Sequence, residues 1–219
     1  MLTTILPSYV AAAESFTDLP GARLLPEERA PAAAMSEERR GEFATVRQCA
    51  RRAGRRLGLP PFPLPPGRAG APRWPHGVVG SLTHCRGYRA AAVARSTRAR
   101  AVGIDAEPHG PLPDGMLRRI ALPEERARHD TLRAQDPGVC WDRLLFCAKE
   151  AVYKVWSPLA GEWLGFHEAS IRLEASPPSF TARLLRPVPD RAAGALPPVL
   201  HGRWTADRDL LLAAVVVRR

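Results

Sequence analysis

The stretch Phe146-Cys147-Ala148-Lys149-Glu150-Ala151-Val152-Tyr153-Lys154 holds both lysines of a chain that otherwise carries thirty arginines. Lys is a compact ammonium whose proton can leave, whereas Arg stays charged, so two lysines kept beside one Glu point to chemistry at Lys149, Glu150 and Lys154. The plain alternative is an exposed Glu150–Lys154 pair, four residues apart, that supports a helix. In Val102-Gly103-Ile104-Asp105-Ala106-Glu107 a strand's alternation puts Asp105 and Glu107 on one face. Neighbouring carboxylates repel, and the remedies are solvent, a raised pKa or a bound cation; a solvated sheet edge is the commoner one. With Glu150 added, three oxygen donors, a phosphate and water would complete an octahedral Mg²⁺ site. Such a group, with Lys149 and Lys154 where phosphate charge gathers, suits phosphoryl or phosphodiester chemistry. Thr83 and His84 close the piece Gly80-Ser81-Leu82-Thr83-His84-Cys85, where a hydroxyl and an imidazole could donate to phosphate oxygens. Taken alone they would be a turn-forming Thr and a surface His. Ser81 is no hydrolase nucleophile of the Gly-x-Ser-x-Gly type, because Thr83 stands where the second Gly is needed.

Positioning these groups requires a helix to meet a strand. A helix is predicted from Ser36 to Leu57, opened by Ser36 with Glu37 and Glu38 and closed near Gly58 and Pro60. It is strongly basic, with a narrow apolar stripe at Phe43, Val46 and Cys49. Residues 60 to 76 read as a Pro/Gly-rich loop. Strands at Gly77–Thr83, Tyr88–Ala94 and Ala101–Glu107 suggest an antiparallel meander. A lobe boundary is expected near Pro108. In the second half short helices are expected near Asp114–Ala121 and Pro123–His129, and a long one at Val139–Trp156, buried through Leu144, Leu145, Ala148, Val152 and Val155. Strands then fit Ser170–Glu174, Phe180–Leu185, Leu200–Thr205 and Leu210–Val217. The order is that of the first half, although residue-level similarity is too weak to define a repeat. The class is α+β.

The formal charge of +10 favours an anionic partner: nucleic acid, a phosphorylated cofactor or an acidic protein. A nucleic-acid module would need aromatic residues interleaved with the arginines, and these are missing. Cys49, Cys85, Cys140 and Cys147 have no metal-ligand spacing and are too sparse for a disulfide framework, which fits a reducing compartment. No basic secretory start and no apolar run of about 20 residues are present, so a soluble cytoplasmic protein is expected.

The three ordered motifs, Gly80 to Cys85, Val102 to Glu107 and Phe146 to Lys154, resemble the signature of the Sfp-type 4′-phosphopantetheinyl transferases, and most of all their PptT-like branch. Similarity runs from Arg39-Arg40-Gly41-Glu42-Phe43-Ala44-Thr45-Val46-Arg47 through Trp163-Leu164-Gly165-Phe166, and more faintly into the C-terminal strands. The resemblance implies two similar lobes, residues 1–108 and 109–219, related by a pseudo-twofold, each an antiparallel sheet packed on a long helix, with the site between them. The implied activity moves the 4′-phosphopantetheine arm of coenzyme A to a serine of an apo acyl or peptidyl carrier protein, releasing 3′,5′-ADP. Asp105, Glu107 and Glu150 become ligands of Mg²⁺, or of Mn²⁺ in its place. Lys149 and Lys154 would contact the coenzyme A phosphates, Thr83 and His84 would lie beside the pyrophosphate, and Arg39 and Arg47 would hold the nucleotide. Glu150 is the expected base, directly or through a metal-bound water, and Lys154 or Lys149 would stabilise the leaving phosphate. A family Gly-Lys-Pro segment reads Gly70-Ala71-Pro72 here, with Arg68 or Arg73 as substitutes. Residues Pro111 to Asp130 correspond to a carrier-docking region, where Met116, Leu117 and Ile120 lie among Arg118, Arg119, Arg126 and Arg128; the plain alternative is an ordinary amphipathic helix on the core. A monomer that uses neither nucleic acid nor membrane is expected. The competing enzyme reading is a Mg²⁺-dependent coenzyme A phosphodiesterase.

Overall fold

The structure, a computed structural model, describes residues 1–67 and 70–219. The strands are β1 (Ala11–Ser15), β2 (Val78–Cys85), β3 (Tyr88–Arg95), β4 (Ala99–Pro108), β5 (Ala169–Glu174), β6 (Ser179–Leu184), β7 (Val199–Asp207) and β8 (Leu210–Arg218). The helices are α1 (Pro26–Ala33), α2 (Glu37–Arg56), α3 (Met116–Ile120), α4 (Pro123–Gln135) and α5 (Trp141–Ala160). Two antiparallel sheets result, one in the order β1-β3-β2 and the other β4-β8-β7-β6-β5. Among the described residues no helix is long and apolar enough to cross a membrane.

Strand alternation sets the layers. On β3, Ala91 and Val93 face α2 and pack with Cys49, Ala50 and Ala53, while Ala90, Ala92 and Ala94 face the other way. There they meet Val102, Ile104 and Ala106 of β4 and Leu210, Leu212 and Ala214 of β8, in a core between the two sheets that the N-terminal Leu2, Ile5 and Leu6 complete. The opposite residues of β8, Leu211, Ala213, Val215 and Val217, pack on α5 through Ala148, Ala151, Val152 and Val155. The order of layers is therefore α2, small sheet, large sheet, α5.

The expected meander does not form. β2 and β3 make a hairpin, but β4 leaves it and pairs with β8 over Ala99–Pro108. A seam of side chains joins the sheets instead. Ser81 Oγ accepts the N–H of Ile104 and Thr83 Oγ1 accepts the N–H of Ala106, both at 3.1 Å, so two hydroxyls satisfy amides on the free edge of β4. The chain break near Pro108 thus falls at the end of a strand whose ladder lies entirely with the second half.

β1 and α1 are absent from the sequence-based expectation, and α5 runs one turn longer, to Ala160, with Pro158 inside it. Gly161 ends α5 in the left-handed region (φ 63°), its N–H donating to Ser157 O. The hexapeptide Leu-Pro-Glu-Glu-Arg-Ala occurs twice, at residues 25–30 and 122–127. Each copy opens a short helix, α1 or α4, that precedes a twenty-residue one. In each the third helical residue, Glu28 or Glu125, accepts the N–H of the preceding Leu. A residue-level repeat is present after all.

Candidate active site

Helix and strand meet because Gly103 allows it. A Cβ there would lie 2.0 Å from Ala151 O, so α5 can lie directly on β4 only if residue 103 has no side chain. The neighbours of Gly103 on that face, Asp105 and Glu107, then look along α5 toward Glu150 and Lys154. Asp105 is buried. Its Oδ1 accepts from Lys154 Nζ at 2.7 Å and from Thr83 Oγ1 at 3.1 Å, while its Oδ2 is buried with no well-formed hydrogen bond among the described residues. Lys154 also donates to Ile104 O at 3.0 Å. Burial, followed by the charge of Asp105, pushes both Glu150 and Glu107 above the ordinary carboxylate range; Lys154 opposes this at both, and Arg143 opposes it at Glu107 by a 3.0 Å ion pair. The three carboxylates thus feel one another, although among the described residues no three His, Cys, Asp or Glu side chains converge closely enough to hold a metal ion.

Beside this group opens a cleft of about 510 Å³. The end of β2 with Thr83 and His84 forms one wall, Arg39, Phe43 and Arg47 of α2 a second, and Tyr153 and Lys154 a third. Trp74 closes it over Gly80, where a Cβ would come within 2.6 Å of the indole and of Ala92 O. Arg39 is exposed at the rim. Arg47 is buried; its Nε donates to Leu64 O at 2.9 Å, its Nη1 to Phe43 O at 3.1 Å, and its guanidinium lies 3.1 Å over the Phe43 ring. Burial lowers its pKa to about 10, which still leaves it charged at neutral pH. His84 is half exposed, with Nδ1 3.3 Å from Glu42 Oε2. Arg89 holds the other Glu42 oxygen at 3.1 Å and is itself held by Asp18 at 2.7 Å. Burial lowers the imidazole's pKa; Glu42 opposes this, and Lys154 and Arg89 add to it.

Lys149 is the exception among the expected site residues. Its side chain is only 3% exposed, and Nζ donates to Phe166 O at 2.6 Å and Ala169 O at 2.8 Å, and pairs with Glu125 Oε1 at 2.8 Å. Its three donors are thereby occupied on the side of α5 away from the cleft, so the expected contact with phosphate is corrected. The physical reason is register: Lys149 and Lys154 are five residues apart, about 500° of helical rotation, and face different directions. Arg73 is exposed and lines a neighbouring hollow with Trp163 and Arg186, while Arg68 lies outside the described residues. Ile120 is buried in the core, and Met116 and Leu117 pack on it, so the expected apolar patch is mostly core while Arg118 and Arg119 stay exposed. Glu42 and Glu125 were missed as supporting residues. The repeated hexapeptide would have pointed to Glu125, whereas nothing in the spacing marks Glu42.

Residues 27–94 match the model of the 4′-phosphopantetheinyl transferase N-terminal domain, and residues 101–196 that of the 4′-phosphopantetheinyl transferase superfamily. The chain belongs to that superfamily of enzymes. It is 51% identical to 4′-phosphopantetheinyl transferase Svp of Streptomyces mobaraensis, over 99% of this chain and 89% of that protein. It is 48% identical to 4′-phosphopantetheinyl transferase PptT of Mycobacterium tuberculosis, over 99% of this chain and 98% of that one. With 4′-phosphopantetheinyl transferase Npt of Nocardia iowensis it shares 45% identity, over 98% and 99%.

Proposed function

We propose that the protein transfers the 4′-phosphopantetheine arm of coenzyme A to a serine hydroxyl of an apo carrier protein, in the cleft between β2, α2 and α5. One observation carries this reading: Asp105, buried at the cleft, has one oxygen fixed by Lys154 and Thr83 and the other without a well-formed hydrogen bond among the described residues. An orphaned buried carboxylate oxygen is costly unless a hydrogen-bond donor or a cation meets it, and beside two further carboxylates a cation is the better match. The groups that would hold Mg²⁺ are Asp105 Oδ2 and Glu150, with Glu107 joining by giving up Arg143 and the three drawing closer together than they stand here. Bound there, the ion would neutralise and orient the pyrophosphate.

The chain's own groups divide the remaining work. Arg39 and Arg47 supply fixed positive charge to the nucleotide end, and Thr83 and His84 line the wall where the pyrophosphate would lie. The serine oxygen bonds to the β-phosphorus as the bond from that phosphorus to 3′,5′-ADP breaks. Glu150, directly or through a bound water, would take the serine proton, and Lys154 faces the charge that appears on the leaving phosphate. Exposed Arg118 and Arg119 give the α3 region a basic rim that suits an acidic carrier. The two halves are taken as lobes related by a pseudo-twofold, which the repeated hexapeptide supports. The working unit is read as a monomer, and the free thiols of Cys49, Cys85, Cys140 and Cys147 suit the reducing cytoplasm.

Asp105→Asn and Glu150→Ala test the assignment in a transfer assay with coenzyme A, Mg²⁺ and an apo carrier. Each should lose activity by about 100-fold or more while circular dichroism stays native. Full activity in both would overturn the site.

A further inference from the structure

Glu28 and Glu125, the matching glutamates of the two hexapeptides, use the same atoms for the same bonds. Oε2 accepts the N–H of the preceding Leu, at 2.8 Å from Leu25 and 2.7 Å from Leu122. Oε1 accepts an N–H from the chain beyond the long helix, at 2.8 Å from Leu64 and 2.6 Å from Ile171. To each Oε1 the long helix brings a cation at short range, Arg51 Nη1 at 2.9 Å and Lys149 Nζ at 2.8 Å. The cation then binds backbone carbonyls, Arg51 that of Arg23 and Lys149 those of Phe166 and Ala169. Both carboxylates are almost fully buried, at 0% and 3% exposure. Buried ion pairs are poor stabilisers compared with apolar packing, so their presence at matching points of both halves asks for another role.

We propose that Glu28–Arg51 and Glu125–Lys149 are matched clamps that position the two sides of the active site, the first setting Arg47 and the second setting Glu150. Arg47 lies one turn before Arg51 on α2, and its Nε binds the carbonyl of Leu64, whose N–H Glu28 holds; Nε is itself 4.0 Å from Glu28 Oε1. Glu150 follows Lys149 directly, so the anchor of Lys149 to the Phe166–Ala169 turn and to α4 fixes how α5 presents Glu150. Lys149 is thus a positioning residue. A tetrahedral ammonium meets three acceptors arranged around it, which a planar guanidinium does not, and this accounts for a lysine at that position. The inference rests on the proposed transferase site.

The test is steady-state kinetics on Glu28→Gln, Glu125→Gln and Lys149→Arg, varying coenzyme A against an apo carrier, with rates per folded molecule and melting curves. Glu125→Gln and Lys149→Arg should lower kcat by about 10- to 100-fold, as an ångström's misplacement of a reacting group does, with KM for coenzyme A within about threefold. Glu28→Gln should raise KM for coenzyme A about tenfold and leave kcat within about threefold, since it loosens binding and not the chemical step. If single variants fold poorly, the apolar pair Glu125→Leu with Lys149→Met should recover the melting temperature without recovering kcat. Wild-type kcat and KM in all folded variants, the same change in both halves, or a kcat restored by the apolar pair would overturn the clamps. A wild-type protein that makes no holo carrier would instead overturn the transferase reading itself.

Discussion

Lys154 donates to Asp105 Oδ1 and to Ile104 O, which occupies two of its three N–H donors and leaves the third for the cleft that it lines. A guanidinium is longer and planar and cannot keep both bonds while reaching into the same space. Lys154→Arg should therefore cut kcat/KM by about tenfold or more although charge is conserved, measured by transfer to an apo carrier. Wild-type activity would show that charge alone suffices there. Cys85 belongs to the same environment: burial first, then Glu107 and Asp105, push its thiol up to about 12. Only the thiolate reacts, so iodoacetamide should label Cys85 at pH 8 about a thousandfold more slowly than an unperturbed thiol, accelerating as pH rises toward that value. Mass mapping of the labelled peptides checks this. The meeting of Thr83, Asp105 and Lys154 was legible because few residue types can do phosphate chemistry and their spacing fits strand and helix periods. The placement of Lys149 was not, because sequence shows that a Lys was kept and does not show which side of α5 it faces.

Among the elements, β4 decides most. It carries Asp105 and Glu107, accepts α5 across Gly103, and offers its free edge to Ser81 and Thr83. Gly103→Ala would drive a methyl into Ala151 O and push α5 away from β4. The variant should lose about 3 kcal/mol of stability, the upper range for overpacking, and most of its activity as Lys154 leaves Asp105. Chemical denaturation and the transfer assay together read both effects. Most elements were legible from period and punctuation: Ser36 does cap α2, and alternation does put Asp105 and Glu107 on the face opposite Ile104. The sheet that β4 joins was not legible, because the choice between β3, as the meander requires, and β8 is made by edge partners distant in sequence. β1 escaped because Ala-Ala-Ala-Glu-Ser lacks the β-branched and aromatic residues that mark strands, and α1 because Pro31 interrupts it.

For the whole molecule, a formal charge of +10 is spent partly inside: Arg47, Arg51, Arg89 and Lys149 are buried on carboxylates and carbonyls. The arginines that stay at the surface, around the cleft and on α3, leave a positive field that would suit an anionic substrate and the acidic carrier proposed above. The layered arrangement brings groups from β2, β4, α2 and α5 to one cleft, which no segment alone could form. In that cleft, on the proposed reading, the phosphopantetheine arm passes to a protein serine. The direct measurement is intact-mass spectrometry of an apo carrier incubated with the protein, coenzyme A and Mg²⁺. The carrier should gain the mass of one phosphopantetheine arm on its serine, with 3′,5′-ADP formed in equal amount. A carrier of unchanged mass, or free phosphopantetheine released without it, would contradict the account.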